Sequence, residues 1–129
     1  MLITLPIYYT QEFKTKDNKT FMVGMNWYRN CKVYFLLNQV KKHYHSLVEE
    51  QLSDLKIDGQ FTLHVRVFYK NTNCDGSNIA SLMEKFTLDA LQEHGTVVND
   101  NVKFHVGTTW AIGGQDKLNP RVEITIKET

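Results

Sequence analysis

The chain has 129 residues, of which 42% are hydrophobic and 12% aromatic, enough for one packed core. With 7 glycines and 2 prolines it carries no collagen-like or low-complexity segment, and no apolar run approaches the ~20 residues that span a bilayer. A formal net charge of +1 excludes the strongly basic balance of many nucleic-acid binders, so any grip on an anionic partner must come from local basic patches.

In chain order, Leu2 to Pro6 holds β-formers in weak alternation and reads as a strand closed by Pro6. The same stretch lacks the basic flank and long apolar run of a signal peptide, so a cytoplasmic location without membrane contact is expected. Tyr8 to Gly24 is polar, carries Lys14, Lys16 and Lys19, shows no period and reads as a mobile loop. From about Asn26 to Leu52, the residues Tyr28, Cys31, Phe35, Val40, Tyr44, Leu47 and Leu52 recur at helical intervals, which predicts one long helix. Its aromatics Tyr28, Tyr34, Phe35 and Tyr44 are expected in the core or a dimer interface.

Lys56 to Gly59 breaks that helix, and Gln60 to Tyr69 alternates Phe61, Leu63, Val65, Val67 and Tyr69 against Thr62, His64, Arg66 and Phe68, a half-buried strand. Asn71 to Gly76 is turn chemistry, after which Ser77 or Asn78 can cap a second helix. That helix sets Ile79, Leu82, Met83, Phe86 and Ala90 on one face and stops at Gly95. Val102 to Trp110 and Arg121 to Lys127 read as two further strands, joined by a glycine-containing loop from Ile112 to Pro120. The order β-α-β-α-β-β, without repeat or linker, predicts a single α+β domain over residues 1–129, with helices on at least one face of a mixed sheet. Cys31 and Cys74 lack CxxC spacing and the five histidines lack HxxxH or HExxH spacing, so no zinc site is expected and both thiols are read as reduced.

The chemistry-bearing stretch is Asp75-Gly76-Ser77-Asn78, then a helix, then Asn99-Asp100-Asn101. Asp75 and Asp100 sit at junctions between elements, where rigid scaffolding positions functional groups. With oxygens from Ser77, Asn78, Asn99 or Asn101 they would form an all-oxygen site suited to Mg²⁺ or Mn²⁺. The same residue types also build turns and helix caps, and spacing alone leaves both roles open.

Asp75-Gly76-Ser77-Asn78, then Lys85-Phe86-Thr87-Leu88-Asp89-Ala90-Leu91, Gly95 and Asn99-Asp100 resemble the signature of the RusA-type Holliday junction resolvases. That signature runs Asp-x-Asp-Asn, a Lys-bearing helix ending in Asp-Ala-Leu, a Gly and an Asp-Asp pair. Ile3-Thr4-Leu5-Pro6, Tyr28-Arg29 and Arg121 to Ile126 are similar to the family's first strand, first helix and last strand. The resemblance implies one RusA-like domain and a homodimer. It implies Mg²⁺- or Mn²⁺-dependent cleavage of branched DNA, Holliday junctions above all, in recombination and repair. The family is common in phages and prophages, so a bacterial or phage source is expected.

Residue by residue, the resemblance puts the first acidic ligand on Asp75, the last on Asp100 and the family's Asn on Asn78. The middle aspartate falls on Ser77, which brings no charge, and the first Asp of the pair falls on Asn99. The catalytic lysine falls on Lys85 when matched from the helix end, or on Ser81 from its start. Lys85 is preferred because it lies four before Asp89, in a polar stripe with Ser77 and Ser81. Metal held by Asp75, Ser77 and Asp100, with Lys85 beside the phosphate, would complete the catalytic set. Lys14, Lys16, Lys19, Arg29 and Lys70 are the candidate phosphate contacts. The alternative is a non-catalytic junction-binding dimer that keeps the fold without turnover.

Overall fold

A computed structural model describes all residues from Met1 to Thr129. Strands β1 (Leu2–Pro6), β2 (Tyr8–Gln11) and β3 (Lys19–Met22) come first. Helices α1 (Met25–Asn30) and α2 (Tyr34–Leu52), strand β4 (Phe61–Tyr69), helix α3 (Gly76–His94) and strands β5 (His105–Gln115) and β6 (Arg121–Glu128) follow. One four-stranded sheet has the order β1-β6-β4-β5, and β2 and β3 form a separate hairpin. The β1–β6 and β6–β4 pairs are antiparallel and β4–β5 is parallel, with α3 as the crossover that a parallel pair requires. The fold is therefore α+β with a mixed sheet, as expected.

Alternation decides which face of the sheet is covered. Ile3 and Leu5 of β1, Val122, Ile124 and Ile126 of β6, and Phe61, Leu63, Val65 and Val67 of β4 are all buried. They join Val40, Tyr44, Val48 and Leu52 of α2, and Ile79, Leu82, Met83, Phe86 and Leu91 of α3, in a single core. The alternate residues, among them Thr4, Arg66, Thr125 and Lys127, are exposed. No helix lies over that second face, and no helix is long and apolar enough to cross a membrane.

Four expectations need correction. Tyr8 to Gly24 is not one loop: β2 and β3 pair as a hairpin, with Thr10 and Thr20 hydroxyls 2.8 Å apart and Tyr9 edge-on to Phe21 at 5.8 Å. Such cross-strand pairs stabilise a ladder without leaving a period along the chain. The first helix is two helices, α1 and α2, broken at Cys31 to Val33. Asn30 Nδ2 donates to the Asn26 carbonyl at 2.8 Å, and Val33 is extended. The break leaves Tyr34 and Phe35 on the surface, whereas Tyr44 is core and Tyr28 packs edge-on against Phe86.

The third correction concerns β5, which starts at His105 rather than Val102 and runs through the glycines to Gln115. A Cβ at Gly113 would stand 2.6 Å from the Phe68 ring, so only glycine fits there. At Gly114, φ is +145°, beside the register shift between Val67 and Phe68. Fourth, the cap of α3 is Asp75, not Ser77 or Asn78, while Gly95 closes it at φ +80° as expected.

One sheet edge is plugged. The Thr4 amide donates to Gln51 Oε1 at 2.8 Å, and Gln51 Nε2 donates to the Thr4 carbonyl at 2.9 Å. Next along the edge, Pro6 has no N–H and its carbonyl accepts from Tyr44 Oη at 2.5 Å. The Gln51 side chain thus occupies the position of a neighbouring strand. Gln51→Ala should reopen this edge and raise the aggregation rate several-fold in light scattering, with little change in fold by circular dichroism. An unchanged rate would mean that the amide is not what protects β1.

Candidate metal and nucleic-acid site

β1 runs parallel to β4, because each is antiparallel to β6. Pro6, which leads into the hairpin, and Tyr69, which leads to α3, therefore lie at the same end of the sheet. Lys70, just past β4, sits 5.6 Å from the Tyr8 ring at the base of the hairpin. The Val23 amide bonds the Ile7 carbonyl at 2.9 Å, which holds the end of the hairpin beside the end of β1. α1 is tied to the same place, because the Asn26 amide donates to Asn78 Oδ1 on α3 at 2.7 Å.

Asp75 Oδ1 accepts from the Ser77 amide at 3.1 Å, from Ser77 Oγ at 3.0 Å and from the Asn78 amide at 3.4 Å. The first amides of a helix have no carbonyl in reach, and this carboxylate supplies the missing acceptor. Asp75 is exposed, its Oδ2 takes no protein donor and no cationic side chain pairs with it. Ser77 Oγ gives its proton to Asp75 and keeps its lone pairs. Neighbouring Cys74 is held above the usual thiol range, first by burial and then by the Asp75 charge, so it stays a neutral thiol.

Three amide side chains considered as ligands are committed elsewhere. Asn78 caps α1, and a Cβ at Gly24 would collide with its Nδ2. Asn99 Oδ1 accepts the Asn101 amide and Asn101 Oδ1 accepts the Lys103 amide, each at 3.0 Å. Asn78→Ala should loosen α1 and cost about 1–2 kcal/mol in urea unfolding, the loss of a cap that joins two helices. An unchanged midpoint would show that α1 does not depend on it.

Asp100 lies past the far end of α3, half-buried, and its side chain makes neither a hydrogen bond nor an ion pair. The 19 residues of α3 span about 28 Å. Beyond Gly95 the Thr96 and Val97 amides close the helix on the Leu91 carbonyl. The Phe104 and His105 amides on the Asn101 carbonyl tie this loop to the start of β5 beside Phe61, at the opposite end of the sheet from Tyr69 and Asp75. The expected meeting of Asp75 and Asp100 does not occur within one chain. No group of three or more His, Cys, Asp or Glu side chains comes together at metal-ligand spacing. The oxygens left uncommitted are those of Asp75 and Ser77 at the start of α3 and of Asp100 past its other end, with one negative charge at each place.

Lys85 does not join Asp75. Its ammonium is 3.5 Å from Asp89 Oδ2 and 5.8 Å from the Tyr28 ring centre. Ten residues along a helix is about 15 Å, beyond the reach of one side chain. Ser81 Oγ is back-bonded to the Ser77 carbonyl at 2.7 Å. Lys14 and Lys16 stand exposed in the turn of the hairpin, Lys16 4.3 Å from the Phe13 ring, and Arg29 is exposed in the last turn of α1. The basic candidates therefore come from three separate segments, of which only that of Lys70 leads directly into the start of α3.

One charged cluster was not foreseen. On the open face of the sheet, Arg121 lies 4.1 Å from the Phe68 ring and bonds Asp116 at 2.8 Å and Glu123 at 3.2 Å. Asp116 is held below the usual carboxylate range by the Asn119 amide first, with Arg121 and the Leu118 amide adding to it. The Arg121–Glu123 spacing of two, on one face of a strand, was the available signal. The cluster sets one cation against two carboxylates and offers no spare positive charge.

No protein-family model matches this chain, and neither does any curated protein.

Proposed function

We propose that this protein is a metal-dependent endodeoxyribonuclease selective for branched DNA, with Holliday junctions as its substrate class. What carries the proposal is an Asp75 carboxylate that keeps a free oxygen at the start of α3, with Lys70 just past the end of the preceding strand. The order of motifs from Asp75 to Asp100 supports it. Lys14, Lys16, Arg29 and Lys70 would hold phosphates by charge and position the duplex arms, without reading sequence. Asp75, with Ser77 Oγ, would hold one Mg²⁺ or Mn²⁺; Asp100 lies past the far end of α3, so a second carboxylate from that position would have to come from the other copy of a dimer. Bound there, the ion would supply water activation and offset charge on the phosphate. A junction has two-fold symmetry and needs two nicks, so a homodimer is the expected working unit. The absence of a membrane-spanning helix fits a cytoplasmic site of action in a bacterial or phage-infected cell.

A second reading, a junction-binding dimer without turnover, is favoured by two observations: Ser77 contributes no charge, and Lys85 is engaged by Asp89. One experiment separates them. Labelled four-way junction and linear duplex of the same sequence are incubated with wild-type chain in Mg²⁺, Mn²⁺ or chelator. Nicks in the junction alone, lost with chelator, support the nuclease. Tight junction binding without nicks under any metal selects the second reading.

A further inference from the structure

We propose that the start of α2 is a base-contacting element for branched DNA: Tyr34 and Phe35 stack on bases left unpaired where strands cross, and Lys32, Lys41 and Lys42 hold the phosphates beside them. The inference rests on the proposed action on branched DNA and assigns the part of the chain that tells a branch from a plain duplex.

Three consecutive apolar side chains stand in solvent where α2 begins. Val33 is 58% exposed, Tyr34 74% and Phe35 71%. Single exposed apolar residues are ordinary on a protein surface, but a run of three with two aromatic rings marks a contact surface. Val40, Tyr44, Val48 and Leu52 anchor the same helix in the core, which fixes its rotation and leaves both rings outside.

The charge around the rings has one sign. From Asn18 to Val48 the chain carries Lys19, Arg29, Lys32, Lys41 and Lys42 and no aspartate or glutamate, while all 14 carboxylates lie elsewhere among the other ten basic residues. None of the five cations is in an ion pair. Lys41 and Lys42 follow Tyr34 and Phe35 by seven residues, which is two helical turns, so each lysine shares the face of one ring about 10 Å along the helix. No acidic residue or side-chain cap covers the first turn of α2, and its amides add to the positive field. Cations on phosphates with rings on bases is how unpaired nucleic acid is held, and an intact duplex keeps its bases stacked away from such rings.

This end of α2 is also the proposed catalytic end. Tyr44 reaches Pro6 and Gln51 reaches Thr4, so α2 runs antiparallel to β1. As the crossover from β4 to β5, α3 runs antiparallel to β4, which is parallel to β1. The two helices therefore run the same way. Tyr44 stacks on Phe86 at 5.1 Å, and Tyr34 and Gly76 each lie ten residues, about 15 Å, before that contact. Tyr34 and Asp75 thus stand at the same end of the fold.

The test reads binding in chelator and so does not depend on cleavage. The full chain is titrated with a four-way junction carrying a fluorescent base analogue at the branch, and with linear duplex of the same sequence. We expect the junction to bind at least about tenfold more tightly than the duplex, the worth of roughly one stacked base, with a change in the analogue's fluorescence. Tyr34→Ala combined with Phe35→Ala should remove both, while duplex affinity moves less than about twofold. Tyr34→Phe keeps the ring and should retain both. Lys41→Ala with Lys42→Ala should weaken junction and duplex alike and flatten the salt dependence. Both rings lie outside the core, so circular dichroism should be unchanged. A ring variant that binds the junction like wild type overturns the inference, and if that variant still nicks the junction with metal the proposed nuclease survives. Wild type without junction preference overturns it as well. So do two other results: a ring variant that loses binding only because sedimentation shows a dimer falling apart, and Tyr34-dependent binding to anionic lipid vesicles in place of DNA. Junction preference through the rings without nicks under any metal removes the nuclease and leaves the branch contact standing.

Discussion

Asp75→Asn is expected to lower junction cleavage at least about 100-fold, or about 2.7 kcal/mol of barrier, while leaving the fold unchanged. The two effects separate because Asp75 has two jobs on two oxygens. Oδ1 caps α3, and an asparagine carbonyl accepts the same amides equally well. Oδ2, without a protein partner, is the one proposed to meet the ion, and the substitution removes its negative charge. Hard divalent cations prefer charged oxygens, so metal affinity should fall with activity. Ser77→Asp works in the other direction: it adds a charge beside Asp75 and should tighten Mn²⁺ binding. Cleavage by Asp75→Asn within a few-fold of wild type would reduce Asp75 to a helix cap.

Phe86→Ala should destabilise the protein by about 3–5 kcal/mol in urea or thermal unfolding, a large part of the stability of a domain this size. Phe86 is fully buried on α3. It stacks on Tyr44 of α2 at 5.1 Å and meets Tyr28 of α1 edge-on at 6.0 Å. Truncation leaves a cavity where three helices meet, and the Tyr44 hydroxyl is tied to Pro6, so that ring cannot move in to fill it. The same Tyr44 group closes the β1 edge, and the variant should therefore aggregate more readily as well. A loss below about 1 kcal/mol would mean that this junction of helices repacks freely.

The strands were legible where one face is covered. In β4 and β6 the buried residues alternate without exception from Phe61 to Val67 and from Val122 to Ile126, because helices lie over one side only. The extension of β5 to Gln115 was hidden because Gly113 and Gly114 are turn formers by composition. Here they serve the close approach of Phe68 and a register shift, and both reasons lie on a different strand. The hairpin leaves no period along the chain for a like reason, since Tyr9–Phe21 and Thr10–Thr20 are contacts across a turn.

At the site, Asp75 could be found from its place between strand and helix. The loss of Asn78 to α1 could not, because its partner is the amide of Asn26, 52 positions earlier. Helical periodicity puts Lys85 on one stripe with Ser77 and Ser81 but says nothing of distance along it. Asp89 is one turn away from Lys85 and Asp75 nearly three. The plugging of β1 is also invisible in sequence, since Gln51 reads as an ordinary polar residue on a helix.

Whether Asp75 of one copy and Asp100 of another hold one ion is read most directly by titrating Mn²⁺ into isotope-labelled protein and following paramagnetic broadening of backbone amides. The amides of residues 75–78 and 99–101 are predicted to broaden together, at the same Mn²⁺ concentration, and both sets should stay sharp in Asp75→Asn. Broadening confined to one set, or to neither at millimolar Mn²⁺, would contradict a shared site and with it the proposed nuclease.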